Sequence, residues 1–282
     1  MEPLKLAAFS QNGQGGNPAG VAFCDVMPSE EEMLKIAKEV GYSETAFLVK
    51  HPQGDGWRVR YFAPELEVPF CGHATIALGA ALGERFGEGT YQLQLNDTVI
   101  SVRAEKSASG AYAATLQSPE TWSKDAPQEY VDQVLAGFHL TREQLDPAFP
   151  IRFAFGGAKH LIFVVKDRQT LAEMQYDFDK VRALMMEKNL ITISLLWNES
   201  YELFHSRNAF AAGGVYEDPA TGAAAAALAG YLRDIGWQGK NEFTILQGED
   251  MGVASRLLVR FSSKVGESVA VSGQVRQIAE DE

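Results

Sequence analysis

Apolar positions along this chain follow two periods, and the period changes often. Short apolar or alternating runs at residues 4–9, 21–24, 45–49 and 57–62 predict strands. In the last of these Trp57, Val59 and Tyr61 alternate with Arg58 and Arg60, as in a half-buried strand. Between the second and third runs, Met33, Ile36, Ala37 and Val40 fall on one helical face, and Ser29 and Glu32 have capping-box spacing. Residues 91–95, 99–103 and 111–116 predict three more strands, and residues 119–127, rich in Ser, Lys, Asp and Pro, predict a linker. A similar order follows. A helix around Tyr130, Val134, Leu135 and Phe138 precedes strands at 151–155 and 161–165. A helix near 181–186 then leads to strands at 191–197 and 201–205, and strands at 243–246, 256–261, 268–271 and 274–278 close the chain.

Two longer apolar stretches interrupt this alternation. One starts at Cys71-Gly72-His73-Ala74-Thr75, and the other runs from Glu217-Asp218-Pro219-Ala220-Thr221-Gly222 into Ala223-Ala224-Ala225-Ala226-Ala227-Leu228. Each predicts a buried helix. In the second, Pro219 suits the first helical position and Asp218 is the expected N-cap. Small side chains leave the first turn slim, so its backbone N–H groups can approach a ligand where the helix dipole favours an anion. Aligning Ala74-Thr75 with Ala220-Thr221 gives an offset near half the chain, the mark of an internal repeat with one central helix per copy. Many short strands around one long helix in each half predict an α+β fold rather than a doubly wound sheet. The expected domains are 1–120 and 121–282, with the last strand a candidate to return to the first domain.

Composition narrows the function classes. With 282 residues and 46% hydrophobic content the chain can build two cores. Its net charge of −12 is spread without a basic block, which argues against nucleic acid or an anionic membrane as partner. No apolar run approaches the length of a membrane span, and the start Met1-Glu2-Pro3-Leu4-Lys5 has no leader pattern, so a cytoplasmic location is expected. Cys24 and Cys71 make no disulfide framework or zinc spacing, and His51, His139, His160 and His205 are scattered, so no metal is expected. Gly13-Gln14-Gly15-Gly16 lacks the dinucleotide pattern and the P-loop lysine.

Candidate chemistry lies at element junctions. Glu44, in Gly41-Tyr42-Ser43-Glu44-Thr45, sits between a predicted helix and an apolar strand. In a cleft it would be partly desolvated and suited to general acid–base work; in a loop it is a solvated carboxylate. His73 stands at a helix mouth, where the dipole favours neutral imidazole; it is a ligand-binding group or a structural histidine. Cys71 is an activated thiolate or, more simply, a buried thiol. Asp218 caps its helix, accepts from a substrate, or does both.

Taken together, Gly16-Asn17-Pro18-Ala19-Gly20-Val21, Ser43-Glu44-Thr45-Ala46-Phe47, Cys71-Gly72-His73-Ala74-Thr75 and Glu217-Asp218-Pro219-Ala220-Thr221-Gly222, with Gln247-Gly248 behind them, resemble the PhzF-like family of phenazine-biosynthesis isomerases over nearly the whole chain. The resemblance implies a diaminopimelate-epimerase-like fold, a homodimer, and an active site between two similar domains. It also implies cofactor-free isomerisation of a small anionic substrate such as a dihydro-hydroxyanthranilate. Glu44 matches the glutamate that moves a proton between ring carbons. Substrate contacts fall to Asn17, Ser43, Gly72, His73, Ala74, Asp218, Thr221, Gly222 and Ala223. Three departures weaken transfer of the substrate. They are Ala223 where Ser is frequent, Val253-Ala254-Ser255 where Arg-Pro-Ser is usual, and Pro69-Phe70 before Cys71. An amino- or hydroxy-acid epimerase and a non-catalytic binding protein are the alternatives. The related epimerases use one cysteine from each domain, and no cysteine lies near Asp218 in the sequence.

Overall fold

Strands form where the chain alternates, and the two longest helices form where small apolar residues run on without a break. The computed structural model describes residues 2–51, 56–107 and 110–279. In chain order the first elements are β1 (Leu4–Ser10), β2 (Asn17–Cys24), α1 (Glu30–Val40), β3 (Thr45–Lys50), β4 (Gly56–Phe62), β5 (Glu67–Val68), α2 (Gly72–Phe86), β6 (Gly89–Gln94), β7 (Val99–Lys106) and β8 (Tyr112–Gln117). Then come β9 (Trp122–Asp125), α3 (Gln128–Gly137), β10 (Arg152–Phe155), β11 (Lys159–Val165), α4 (Arg168–Ala172), α5 (Phe178–Glu187), β12 (Thr192–Ser200), β13 (Leu203–Ala209) and β14 (Glu217–Asp218). The chain finishes with α6 (Gly222–Asp234), β15 (Glu242–Gln247), β16 (Ser255–Phe261) and β17 (Val269–Gln277). These elements form two compact units, residues 1–117 with 272–282, and residues 118–271.

In the first unit β2 pairs with β1 and, in parallel, with β3. β4 joins β3 antiparallel and β6 in parallel, and β6, β7 and β8 continue as antiparallel neighbours. The last strand, β17, pairs with both β1 and β8 and so closes the sheet into a ring. Inside lies α2, buried continuously from His73 to Gly83. Its Ile76, Leu78 and Leu82 are fully buried, each contributing about 1.5–3 kcal/mol of transfer free energy. The helix lies close to the sheet because Gly79 has no side chain: a Cβ there would stand 2.5 Å from Val102 Cγ2 and 2.9 Å from the Ala114 Cβ. Outside the ring, α1 has the expected capping box. Ser29 N donates to Glu32 Oε2 at 2.9 Å, Glu32 N donates to Ser29 Oγ at 3.3 Å, and Gly41 ends the helix at φ 75°.

The second unit repeats the scheme. β9, β10 and β11 are antiparallel neighbours, β11 runs parallel to β12, β12 is antiparallel to β13, β13 runs parallel to β15, and β15 is antiparallel to β16. Its central helix is α6, and Ala224 to Leu232 are buried throughout. A second core, under α3 and α5, gathers Tyr130, Val134, Phe163, Val181 and Leu195. Among the described residues no helix is long and apolar enough to cross a membrane.

Four expectations change. The residues predicted as a linker contain β9, which pairs residue by residue with β10. Polar composition marked that stretch as loop, yet Trp122 and Ser123 are half-buried at a sheet edge. The predicted strands 268–271 and 274–278 are one strand, β17. Gly273 sits between them to make room, since a Cβ there would lie 2.3 Å from the Phe9 ring. The strand expected at 21–24 is longer and starts at Asn17-Pro18, paired with Ala8 and Ala7, as β2. Finally, α6 begins at Gly222 with Thr221 as N-cap, so Asp218 is a strand residue and not the cap. The residue before a proline prefers an extended backbone, and Glu217 and Asp218 use it to pair with Ala209 and Asn208. The helices therefore correspond as Gly72 with Gly222 and Cys71 with Thr221, not as Ala74-Thr75 with Ala220-Thr221.

Candidate active site

Glu44 enters its position from two sides. Gly41 turns the chain out of α1, and at the mouth of β3 the Gly20 N–H donates to the Glu44 carbonyl at 3.1 Å. β2 comes this close because Gly20 lacks a side chain; a Cβ would lie 2.6 Å from Thr45 Oγ1. The Glu44 side chain is 17% exposed, and its Oε2 stands 3.4 Å from His73 Nε2. That oxygen is buried and lacks a well-aligned hydrogen-bond partner among the described residues. His73 Nε2 also lies 3.3 Å from Ser43 Oγ, while Nδ1 lies 3.4 Å from Cys71 Sγ. Ser43, Glu44, Cys71 and His73 thus form one cluster at the start of α2.

A buried chain of hydroxyls fixes the floor of this cluster. Tyr61 OH and Thr75 Oγ1 are 2.6 Å apart, and Thr75 Oγ1 donates to the Cys71 carbonyl at 2.7 Å. Burial pushes the Tyr61 hydroxyl well above its usual range, so it stays neutral. Cys71 is the N-cap of α2 but makes no side-chain cap bond. The amides of Gly72, His73 and Ala74 therefore carry the positive end of a 15-residue helix toward the cluster. Gly72 is half-buried and Ala74 fully buried in that turn, and Asn17 is buried at the start of β2.

In the second unit the expected residues gather around Gln247. Its Nε2 donates to the Asp218 carbonyl at 2.7 Å and to Thr221 Oγ1 at 3.1 Å, and its Oε1 accepts from the Thr221 N–H at 3.2 Å. The Thr221 hydroxyl in turn donates to the Asp218 carboxylate. Thr221 makes no side-chain cap bond, so the amides of Gly222, Ala223 and Ala224 open the 13-residue α6. Behind Asp218, Arg207 Nε donates to Glu217 Oε1 at 3.0 Å, a buried ion pair that holds β14 in place. Gln247 was not among the residues the sequence singled out as site-forming. Its signal is Gly248, at φ 74°, where a Cβ would press on the Val253 and Pro219 carbonyls at 2.7 and 2.9 Å.

A family model described as "Phenazine biosynthesis-like protein" (PhzC-PhzF) matches residues 6–280. The chain belongs to the PhzC-PhzF family. A trans-2,3-dihydro-3-hydroxyanthranilate isomerase of Pseudomonas aeruginosa is 31% identical over 284 residues, covering 98% of this chain and 96% of that protein. The PhzF-family protein of Bacillus anthracis has a similar structure, with a TM-score of 0.86 at 23% identity, covering 98% and 96% of the two chains. A hydroxyproline epimerase of Agrobacterium vitis follows at a TM-score of 0.65 and 13% identity, covering 98% and 89%. The fold is α+β and of the diaminopimelate-epimerase-like kind, with each PhzF-type unit carrying its own central helix.

Chemically, the first cluster offers a carboxylate, an imidazole, a hydroxyl and a thiol beside the first amides of α2. The second offers a carboxylate whose backbone and side chain are both held. A carboxylate beside oriented N–H groups is suited to moving a proton while charge builds on a neighbouring carbonyl or ring.

Proposed function

We propose that the protein is a cofactor-independent isomerase that moves a proton within a small, cyclic, conjugated carboxylate, with Glu44 as the acid–base group. The observation that carries this is Glu44 Oε2: buried, without a well-aligned partner, and beside His73 at the start of α2. A base must keep a lone pair for the substrate, and this oxygen does so. Membership in a family whose relatives are named isomerases supports the class, and the trans-2,3-dihydro-3-hydroxyanthranilate isomerase suggests the substrate type.

In this mechanism Glu44 takes a proton from an sp³ ring carbon and becomes the neutral acid. The electron pair left behind spreads through the conjugated system toward the ring carboxylate. The amides of Gly72, His73 and Ala74 stabilise that charge without reorganising. Glu44 then delivers a proton to a different ring carbon, so the double bonds shift and no external reductant or oxidant is needed. His73 orients the carboxylate through Nε2, and Ser43, whose hydroxyl contacts that nitrogen, helps to hold the substrate. Asp218, oriented by Thr221 and Gln247, accepts from a substrate amine or hydroxyl. Asn17 in the first unit, and Gly222 and Ala223 in the second, are assigned to further substrate contacts.

The test is turnover of trans-2,3-dihydro-3-hydroxyanthranilate and related cyclic dienes by wild type and Glu44→Gln. Wild type is expected to isomerise at least one of them; the variant should keep its fold and lose about 10²-fold or more of the rate. Equal rates would remove Glu44 from the mechanism.

The Cys71–His73 contact favours a second reading, an amino-acid epimerase that uses the thiol as base. Two-base epimerisation needs an acid on the opposite face of the carbon, and the counterpart of Cys71 is Thr221, whose hydroxyl is a far weaker acid than a thiol. Solvent-deuterium exchange at the α-carbon of proline and other amino acids, lost in Cys71→Ala, would establish it.

A further inference from the structure

The side chains around Glu44 hold one combination that proton transfer alone does not require. Glu44, Cys71 and His73 each present a metal-binding atom, and these atoms all lie within 4.8 Å of one another. We propose that Glu44, Cys71 and His73 form a binding site for a thiophilic divalent cation such as Zn²⁺, and that the bound ion blocks the site. The binding itself does not depend on the role of Glu44 in catalysis; the blocking does.

Donor type and spacing both fit. His73 Nε2 is 3.9 Å from Cys71 Sγ and 3.4 Å from Glu44 Oε2. Bonds of about 2.0–2.3 Å in a tetrahedral zinc site put neighbouring donors about 3.3–3.8 Å apart, so small side-chain movements suffice. Glu44 Oε2 is buried with no well-aligned hydrogen bond to give up. His73 would exchange its contact with Ser43 Oγ for the metal, leaving that hydroxyl or a water for the fourth position. Magnesium and calcium are excluded by chemistry, since they demand several oxygen ligands and the cluster supplies a single carboxylate.

Charge decides whether an ion can remain at a helix N-terminus. The positive end of α2 repels a bare cation. With one thiolate and one carboxylate bound, a doubly charged ion becomes a neutral complex, and that repulsion disappears. The balance is simple: the Cys71 S–H bond breaks, its proton goes to solvent, and an S–metal bond forms without redox change. With Glu44 bound to metal, its lone pair no longer reaches a substrate proton.

Titration of the full chain with Co²⁺, followed by its thiolate-to-metal absorption in the near ultraviolet, tests the site. One equivalent should generate the band, and Zn²⁺ should displace it. Cys71→Ala should lose the band with an unchanged far-ultraviolet circular dichroism spectrum, while Cys24→Ala, altering a thiol whose Sγ faces the Ala22 carbonyl, should keep it. Glu44→Gln and His73→Gln should weaken binding by no less than the about tenfold seen for second-shell changes. No band in folded wild type, or a band that follows Cys24, overturns the proposal. A normal band with undiminished turnover of a confirmed substrate would leave the metal site standing and overturn both the blocking and the assignment of Glu44.

Discussion

Glu44 and His73 were legible because a carboxylate and an imidazole stand at element junctions inside motifs, and no packing argument explains either one there. The tasks of Asp218 and Gln247 were not legible. Asp218 precedes a proline and an alanine run, which reads as a cap, whereas long-range pairing with Asn208 holds it in a strand. Gln247 lies far along the chain from Thr221, and nothing local marks its three hydrogen bonds to that loop. The Arg207–Glu217 pair beneath them yields a prediction. Glu217→Ala leaves a buried guanidinium without its carboxylate and should cost about 3–5 kcal/mol in urea unfolding. Replacing both, Arg207→Met with Glu217→Leu, should recover most of that loss. Equal destabilisation by the single and double variants would show that packing, not the unpaired charge, is responsible.

Among the elements, the central helices were visible as runs of small apolar residues, and their slimness has a measurable consequence. At Gly156, on the turn between β10 and β11, a Cβ would stand 2.4 Å from the Ala227 amide nitrogen and 2.7 Å from the Ala223 carbonyl. These are backbone atoms and cannot rotate away. Gly156→Ala should therefore destabilise by about 1–3 kcal/mol despite its gain in unfolded-state entropy, read as a lower urea midpoint. A neutral result would mean that α6 is not packed this tightly. Where the strands depart from the sequence pattern, each departure has its own physical cause. β9 is polar because it lies at a sheet edge, β17 carries a glycine because Phe9 needs the space, and β2 opens on Asn-Pro because the pairing with β1 supplies what local propensity does not.

For the whole molecule, the α+β class followed from two alternating halves around apolar helices, and the repeat recurs as the shared β–α order of the two units. The register of that repeat was not legible, because Ala-Thr pairs recur by composition while the two helices start at Gly72 and Gly222, with Cys71 and Thr221 as N-caps. Acid stability depends on a group in the core of the second unit. His160 is fully buried, Nδ1 is 2.7 Å from Thr192 Oγ1, and burial lowers its pKa to about 3. In the unfolded chain the imidazole takes up a proton below about 6.5, while in the folded chain it stays neutral down to about 3. The unfolded state therefore binds more protons in that window. Stability is full above it and falls as pH drops through it, by up to about 1.4 kcal/mol per pH unit. His160→Asn keeps a partner for Thr192 and should flatten this slope, seen by comparing urea midpoints at several pH values across the window. Identical slopes would show that His160 is protonated in the folded protein.

Isomerisation of the accepted cyclic diene in D₂O, followed by proton NMR, tests the central claim most directly. A carboxylic acid formed on Glu44 exchanges with solvent during its lifetime, so deuterium should enter the product at the carbon that receives the proton, and only with wild type. With Glu44→Gln, the substrate should stay unlabelled and unconverted over the time in which wild type completes the reaction. Conversion with deuterium incorporation by a folded Glu44→Gln protein would contradict the account.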